Sequence, residues 1–198
     1  MRRIDPTVGP RADLYRHFRG FERPWFTMCA RVDVQPLLDE SDGGLFPTLL
    51  RELVLAANSV PELRRRIRIE DDVEVVVEHS RVECTSTIGR PDGSFQFCHF
   101  PYPEGDFFQQ VVDRVAAAKR STGLGLDQQH RDDMLYLTCV PWLDFTTMQH
   151  AEPGGPLDCV PRIAWGKVVA GQVTVCLTAH HALVDGLHVS QFFQALQR

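Results

Sequence analysis

The sequence has no apolar run approaching the roughly 20 residues that cross a bilayer, so no membrane helix and no membrane partner are expected. Its opening stretch, MRRIDPTVGPRADL, lacks the apolar centre of a secretory leader. None of the six cysteines, at 29, 84, 98, 139, 159 and 176, forms a CxxC pair, so reduced thiols in a cytoplasmic protein are the expectation. Excess positive charge is also missing. With 21 basic and 26 acidic side chains the formal charge is −5, which disfavours a general nucleic-acid binder. There is no GxSxG elbow of the kind that carries a serine hydrolase's nucleophile. The glycines of RSTGLGLDQQ (120–129) lack phosphate-loop spacing and follow no strand, so that stretch reads as a flexible connection. No repeat and no linker divides the chain, and 1–198 is expected to be a single domain.

What is present is enough apolar material, 43% of 198 residues, for a substantial core. Helix and strand signals alternate. RADLYRHFRGFER forms an early helical segment closed by Pro24, and WFTMCARVDV reads as a strand. In LFPTLLRELVLAANSVPELRRRI, the residues Leu49, Leu50, Leu53, Val54 and Ala57 recur at helical spacing, with Asn58 and Pro61 marking the end. RRRIR (64–68) is then a solvated helix end. DVEVVVEHSRVECTSTIG supplies two strands, and RPDGSFQFCHF a turn and a third. A second helix, DFFQQVVDRVAAAKRS, carries Phe107, Val111, Val115 and Ala118 on one side. DMLYLTCVPWLDFTTM is a strand interrupted by Pro141, with Trp142 expected in the core, and QHAEPGGPLDCVPR is a loop. QVTVCLTA is a strand and VSQFFQALQ a closing helix. The pattern predicts an α/β domain of the α+β type, a two-layer sandwich with helices packed on a mixed or antiparallel sheet.

The densest chemistry lies in TAHHALVDGLHVSQFF, where three histidines and an aspartate fall within nine residues at a strand-to-helix junction. In an unbroken strand Val173, Val175, Leu177 and Ala179 share one face, and Thr174, Cys176, Thr178 and His180 the other. His180 and His181 then point apart, Gly186 permits a sharp turn, and Asp185 meets His181 if the turn is helical. Three readings stand side by side. A metal site could use His180 or His181 with Asp185 and His188, although Gly186 breaks the register it needs and no remote ligand pair stands out. A structural arrangement would bury one histidine against a backbone carbonyl and use Asp185 as a helix cap. A proton-transfer site would use an imidazole as general base beside an orienting aspartate.

HHALVDGLH (180–188) resembles the HHxxxDGxH signature of the chloramphenicol acetyltransferase family, shared more loosely with dihydrolipoyl acyltransferases and peptide-synthetase condensation domains. HFRGF (17–21) is similar to the family's HFxxF/Y segment. ELRRRI (62–67) followed by DDVEVVV is similar to its next helix end and strand, FPYPEGDFFQQVV to its aromatic stretch, and PWLDFTTM (141–148) to its PWxxFxSF motif. Order and spacing agree over nearly the whole chain, which is about half the size of a condensation domain. The resemblance implies a chloramphenicol-acetyltransferase-like fold and acetyl-CoA as co-substrate with no metal. It also implies a small-molecule hydroxyl acceptor and a homotrimer with active sites between subunits. His181 is the implied general base, Asp185 the structural partner of an arginine, and Thr147 the hydroxyl donor to the oxyanion.

This sequence departs from the family at several places. A threonine, Thr147, stands where the family has serine. The family's arginine for the aspartate aligns with Leu14, leaving Arg11 or Arg16 to substitute. In the implied acceptor pocket a family threonine becomes Ala164, and an aromatic pair becomes Gly20 and Phe21. The expectation is therefore an acetyl-CoA-dependent O-acetyltransferase acting on chloramphenicol or a related molecule. The alternatives are a catalytically impaired relative binding acyl-CoA or an acyl-carrier partner, and a biosynthetic acyltransferase with another acceptor.

Overall fold

A computed structural model describes residues 1–40, 43–152, 154–155 and 157–197. Five helices and nine strands occur among them. In chain order they are β1 (Arg2–Ile4), α1 (Ala12–Arg19), β2 (Trp25–Asp33), α2 (Gln35–Asp39), α3 (Leu45–Ser59), β3 (Arg65–Glu70), β4 (Val73–Glu78), β5 (Glu83–Gly89), β6 (Phe95–Phe100), α4 (Phe107–Arg120), β7 (Met134–Cys139), β8 (Arg162–Trp165), β9 (Gln172–His180) and α5 (Gly186–Leu196). A six-stranded mixed sheet runs β2-β9-β8-β7-β5-β6, parallel at β5/β7 and β7/β8, antiparallel elsewhere. A separate antiparallel sheet runs β1-β4-β3. The expected helices on a mixed sheet are present.

Alternation along the strands decides the layers. Val173, Val175, Leu177 and Ala179 of β9 join Ile163 and Trp165 of β8 in one core with Leu49, Leu53 and Val54 of α3 and Val189 and Phe192 of α5. A fully buried leucine or phenylalanine contributes about 1.5–3 kcal/mol, so this seam anchors both ends of β9. The opposite face of β9, Thr174, Cys176, Thr178 and His180, is also buried, with Thr178 bonded across to Thr27 Oγ1 at 2.7 Å.

Several expectations need correction. RRRIR is not a helix end: the helix stops at Ser59, Pro61–Arg64 forms a short 3-10 turn, and the arginines continue into β3. Arg66 is fully buried because its fork meets four carbonyls, of Leu63, Arg65, Asp132 and Met134, at 2.6–3.0 Å. The strand containing Pro141 ends at Cys139 and does not resume, which leaves Trp142 on a surface loop at 81% exposure rather than in the core. Not all six thiols are free, since Cys29 and Cys176 face each other in the β2/β9 register and are joined as a disulfide. The Gly/Pro-rich stretch carries neither helix nor strand in its described residues from 149 to 161, with Pro153 and Pro156 outside them, and runs into β8.

Candidate active site

The histidine cluster is shaped by where the β2/β9 ladder runs out. Trp25 pairs with His180, and the residue before it is Pro24, which has no N–H to offer. The carbonyl of Pro24 instead accepts the His181 N–H at 2.7 Å, and the chain turns as the Leu183 and Val184 N–H groups both donate to the His180 carbonyl at 3.0 Å. Asp185 ends this turn as the N-cap of α5, its Oδ1 accepting from Leu187 N at 2.9 Å. Its own N–H donates to His188 Nδ1 at 3.1 Å, completing a capping box. Gly186 is the first residue of the helix rather than a left-handed hinge. A Cβ there would sit 3.3 Å from Met28 Cε.

The two adjacent histidines have different environments. His180 is buried at 1% exposure and accepts the Ala182 N–H at Nδ1, 3.3 Å, so its proton resides on Nε2. Burial first, then the charge of Arg19, pushes its pKa down to about 4. It is a neutral packing residue, edge-on to Trp25 at 5.5 Å. The ring of His181 is half-buried and stacks on Phe18 at 3.7 Å with 5° between planes, with Phe26 tilted against it at 4.5 Å. Its Nδ1 lies 3.1 Å from the Val184 carbonyl. A carbonyl only accepts, so Nδ1 is the donor, and in the neutral ring the lone pair is on Nε2. The three residues thus differ in setting: His180 is packing, Asp185 caps α5, and His181 turns its Nδ1 to the Val184 carbonyl. Among the described residues no group of three or more His, Cys, Asp or Glu is arranged to hold a metal ion.

Asp185 also has its arginine. Oδ2 forms an ion pair with Arg11 Nη1, while Leu14, the aligned position, is 42% exposed and Arg16 pairs with Asp13 at 3.0 Å. Arg11 precedes α1, one helical turn before Leu14, so the guanidinium reaches the aspartate from an adjacent position. Phe21 joins the same cluster, edge-on to Phe18 at 5.2 Å and to His17 at 4.9 Å.

Thr147 and Ala164 lie elsewhere. Thr147 is exposed, its Oγ1 3.6 Å from Cys29 Sγ. Cys29 is four residues along β2 from Trp25, roughly 13 Å by strand rise, so Thr147 stands beside the middle of β2 while His181 lies beyond the end of the β2/β9 ladder. Ala164 is fully buried in β8 opposite Cys176. The site residues expected from sequence thus divide into a His181 group, with Asp185 and Phe21, and a Thr147 group, with Ala164.

A cavity of about 420 Å³ adjoins the Thr147 group, on the sheet face away from the helices, walled by side chains of β5 to β8, the loop after α4 and residues 148–151. Its residues Arg162 and His150 were not singled out from sequence, where one sits in a four-residue strand and the other in a loop. The stretch 120–129 is also more than a flexible connection. Gly125 has φ +67°, and a Cβ there would fall 2.3 Å from the Phe97 carbonyl oxygen. Phe97 N–H donates to the Leu124 carbonyl at 2.9 Å, which ties the loop to β6 as part of the cavity wall.

Comparison with known proteins gives a consistent picture. The family model described as chloramphenicol acetyltransferase matches residues 1–197. A chloramphenicol acetyltransferase of Campylobacter coli is 22% identical, with the match covering 98% of this chain and 96% of that protein. Chloramphenicol acetyltransferase 3 of Escherichia coli is 24% identical, covering 87% and 84%. Among solved structures, a chloramphenicol acetyltransferase superposes with a TM-score of 0.81 at 24% identity, over 98% of this chain and 96% of its own. The cubic core of a pyruvate dehydrogenase multienzyme complex gives a TM-score of 0.66 at 15% identity, over 93% and 84%.

Proposed function

Since the chain belongs to the chloramphenicol acetyltransferase family and is an acyltransferase, we propose that it moves the acetyl group of acetyl-CoA to a hydroxyl of chloramphenicol or a related small molecule. The observation that carries this reading is the 3.1 Å contact of His181 Nδ1 with the Val184 carbonyl, which in the neutral ring leaves the lone pair on Nε2. His181 Nε2 takes the proton of the acceptor hydroxyl as that oxygen adds to the thioester carbonyl. The C–S bond then breaks, and the imidazolium returns the proton to the departing thiolate, releasing CoA as its thiol. Proton removal during attack is worth roughly 10²–10⁴-fold. The Thr147 hydroxyl donates to the oxygen that becomes negative, a contact typically worth about 3–4 kcal/mol of barrier.

Thr147 lying beside Cys29, about four residues of strand rise from the Trp25 end of β2 where His181 sits, supports a site shared by neighbouring copies, in a homotrimer with His181 of one facing Thr147 of the next. Asp185 and Arg11 hold the turn that aims His181 and take no part in proton transfer. The reaction belongs in the cytoplasm, where the acyl-CoA is supplied, and acetylation there would serve antibiotic resistance. Arg11 also removes one motive for a catalytically impaired relative, because Asp185 does not lack a cation. A different acceptor retains a motive in Ala164 and in the charged and polar members of the cavity wall, Arg162 and His150.

The test is thiol release from acetyl-CoA with chloramphenicol, for wild type beside His181→Ala. Release that disappears in the variant, with the fold retained by circular dichroism, is expected. Equal turnover by both would refute the role given to His181. Silence from both with chloramphenicol, but release with other hydroxyl compounds, would assign a biosynthetic acceptor.

A further inference from the structure

Thr147 stands on a segment that the fold pins beside β2. The Leu143 carbonyl accepts the Lys167 N–H at 2.9 Å, and Gly166 leaves room for that approach, since a Cβ there would fall 2.7 Å from the same oxygen. Asp144 Oδ1 accepts from Arg31 Nη1 at 2.9 Å, two residues along β2 from Cys29 and on the same face of the strand. Between these anchors and the sheet, Thr147 Oγ1 lies 3.6 Å from Cys29 Sγ, within the reach of a hydrogen bond involving sulfur.

A threonine hydroxyl has one proton to give and two lone pairs to fill. What Cys29 offers it depends on oxidation state. In the disulfide with Cys176 the sulfur carries no hydrogen, so it acts only as a weak acceptor, competing for the proton that Thr147 gives to the oxyanion. As a thiol, Cys29 donates its S–H to a Thr147 lone pair, and the hydroxyl proton is left for the reacting oxygen. Cys176 is fully buried and Cys29 half-buried, so an external thiolate meets Cys29 first. An opening that admits a thioester to Thr147 also admits a small dithiol to the sulfur beside it.

Resting on the acyl-transfer reading, we propose that Cys29 is a positioning residue for Thr147, and that the Cys29–Cys176 pair sets turnover by its redox state, faster as the dithiol than as the disulfide. The reductant is a dithiol. Its thiolate attacks Cys29 Sγ, the S–S bond breaks, and Cys176 leaves as a thiolate that takes a proton. The reductant's second thiolate then displaces Cys29 from the mixed disulfide, and Cys29 takes a proton in turn. The protein gains two electrons and two protons, and the reductant becomes a disulfide.

Protein oxidised with diamide and protein reduced with dithiothreitol, each freed of reagent, should titrate in denaturant as four and six thiols. Transfer from acetyl-CoA to chloramphenicol is followed by loss of thioester absorbance. The Thr147 methyl is followed by NMR of threonine-labelled protein, with Thr147→Val for assignment. Reduction should raise kcat about 2- to 10-fold, the span of one modest hydrogen bond, with a smaller change in KM for acetyl-CoA. It should also shift the Thr147 methyl resonance. Cys176→Ala, which leaves Cys29 a permanent thiol, should turn over at the reduced rate without reductant. Cys29→Ala has no donor and should stay at or below the oxidised rate, while Cys29→Ser, which restores one, should recover part of the gain. A disulfide kept only for structure would change Tm and leave kcat alike in the two forms. Six thiols after diamide, equal kcat in both forms, faster turnover by the disulfide, or a redox response that survives in Thr147→Val overturns the inference. A Thr147 methyl that follows the redox state, with no transfer by wild type to any hydroxyl compound in either form, upholds the contact between Cys29 and Thr147 and refutes acyl transfer.

Discussion

Replacing Arg11 by leucine separates the two duties of Asp185. The carboxylate uses Oδ1 to cap α5, through Leu187 N at 2.9 Å, and Oδ2 to pair with Arg11. Arg11→Leu removes only the second. The two side chains are 22% and 25% exposed, between the surface pairs worth about 0–1 kcal/mol and the fully buried ones whose rupture costs about 3–5 kcal/mol. A loss of about 2 kcal/mol follows, which in a chain of this size lowers Tm by roughly 4–8 °C. Asp185→Ala loses the cap as well, a further 1 kcal/mol or so. The double variant should be little worse than Asp185→Ala alone, leaving a coupling of about 1–2 kcal/mol in a double-mutant cycle. Urea unfolding of the four proteins measures it. Additive losses would show that the pair contributes nothing, and that another group neutralises Asp185. Because the turn between His180 and Asp185 aims His181, kcat for acetyl transfer should fall in Arg11→Leu while KM for acetyl-CoA changes less.

Gly125→Ala should destabilise by more than 1 kcal/mol, since the backbone is left-handed and the added Cβ would meet the Phe97 carbonyl, a collision read directly from the urea midpoint. Acid should weaken the fold before the carboxylates titrate. His180 and His150 have folded pKa values near 4 against the ordinary value of about 6.5, so the unfolded chain binds protons first as pH falls. Their contribution is complete above pH 6.5 and is lost between there and about pH 4, at up to 1.4 kcal/mol per pH unit for each ring. A urea midpoint unchanged from pH 7 to 5 would contradict their neutral burial. Thr147→Val, isosteric but without the hydroxyl, should lower kcat roughly 10²–10³-fold with little change in Tm, whereas undiminished turnover would remove Thr147 from the reaction.

Local patterns were the legible part of this chain. The strict alternation of β9, the helical spacing of α3 and α4 and the His-Asp junction all depend on residues within a turn or a strand of one another. The missing pieces come from long-range pairing. The β2/β9 register that sets Cys29 against Cys176 is not written in either strand. Arg11 meets an aspartate 174 residues away because α1 and the start of α5 converge on the same end of that strand pair. β8 has only four residues behind a Gly/Pro-rich stretch, too few for an alternation to show. RRRIR reads as solvated because burying an arginine requires several acceptors at once, and the carbonyls that supply them come from the turn before β3 and from the start of β7. His150 had no local signal at all, since its isolation from polar partners is a property of the folded cavity.

The account depends on His181 and Thr147 working together across a contact between copies. The most direct test refolds His181→Ala and Thr147→Val, each expected to keep no more than about a hundredth of wild-type activity alone, as an equal mixture and measures thiol release from acetyl-CoA. If each site joins His181 of one subunit to Thr147 of the next, random assembly restores one intact pair in four, so about a quarter of wild-type activity should return. Activity no greater than that of the separate variants would place both groups in the same chain's site, or outside the reaction, and would contradict the account.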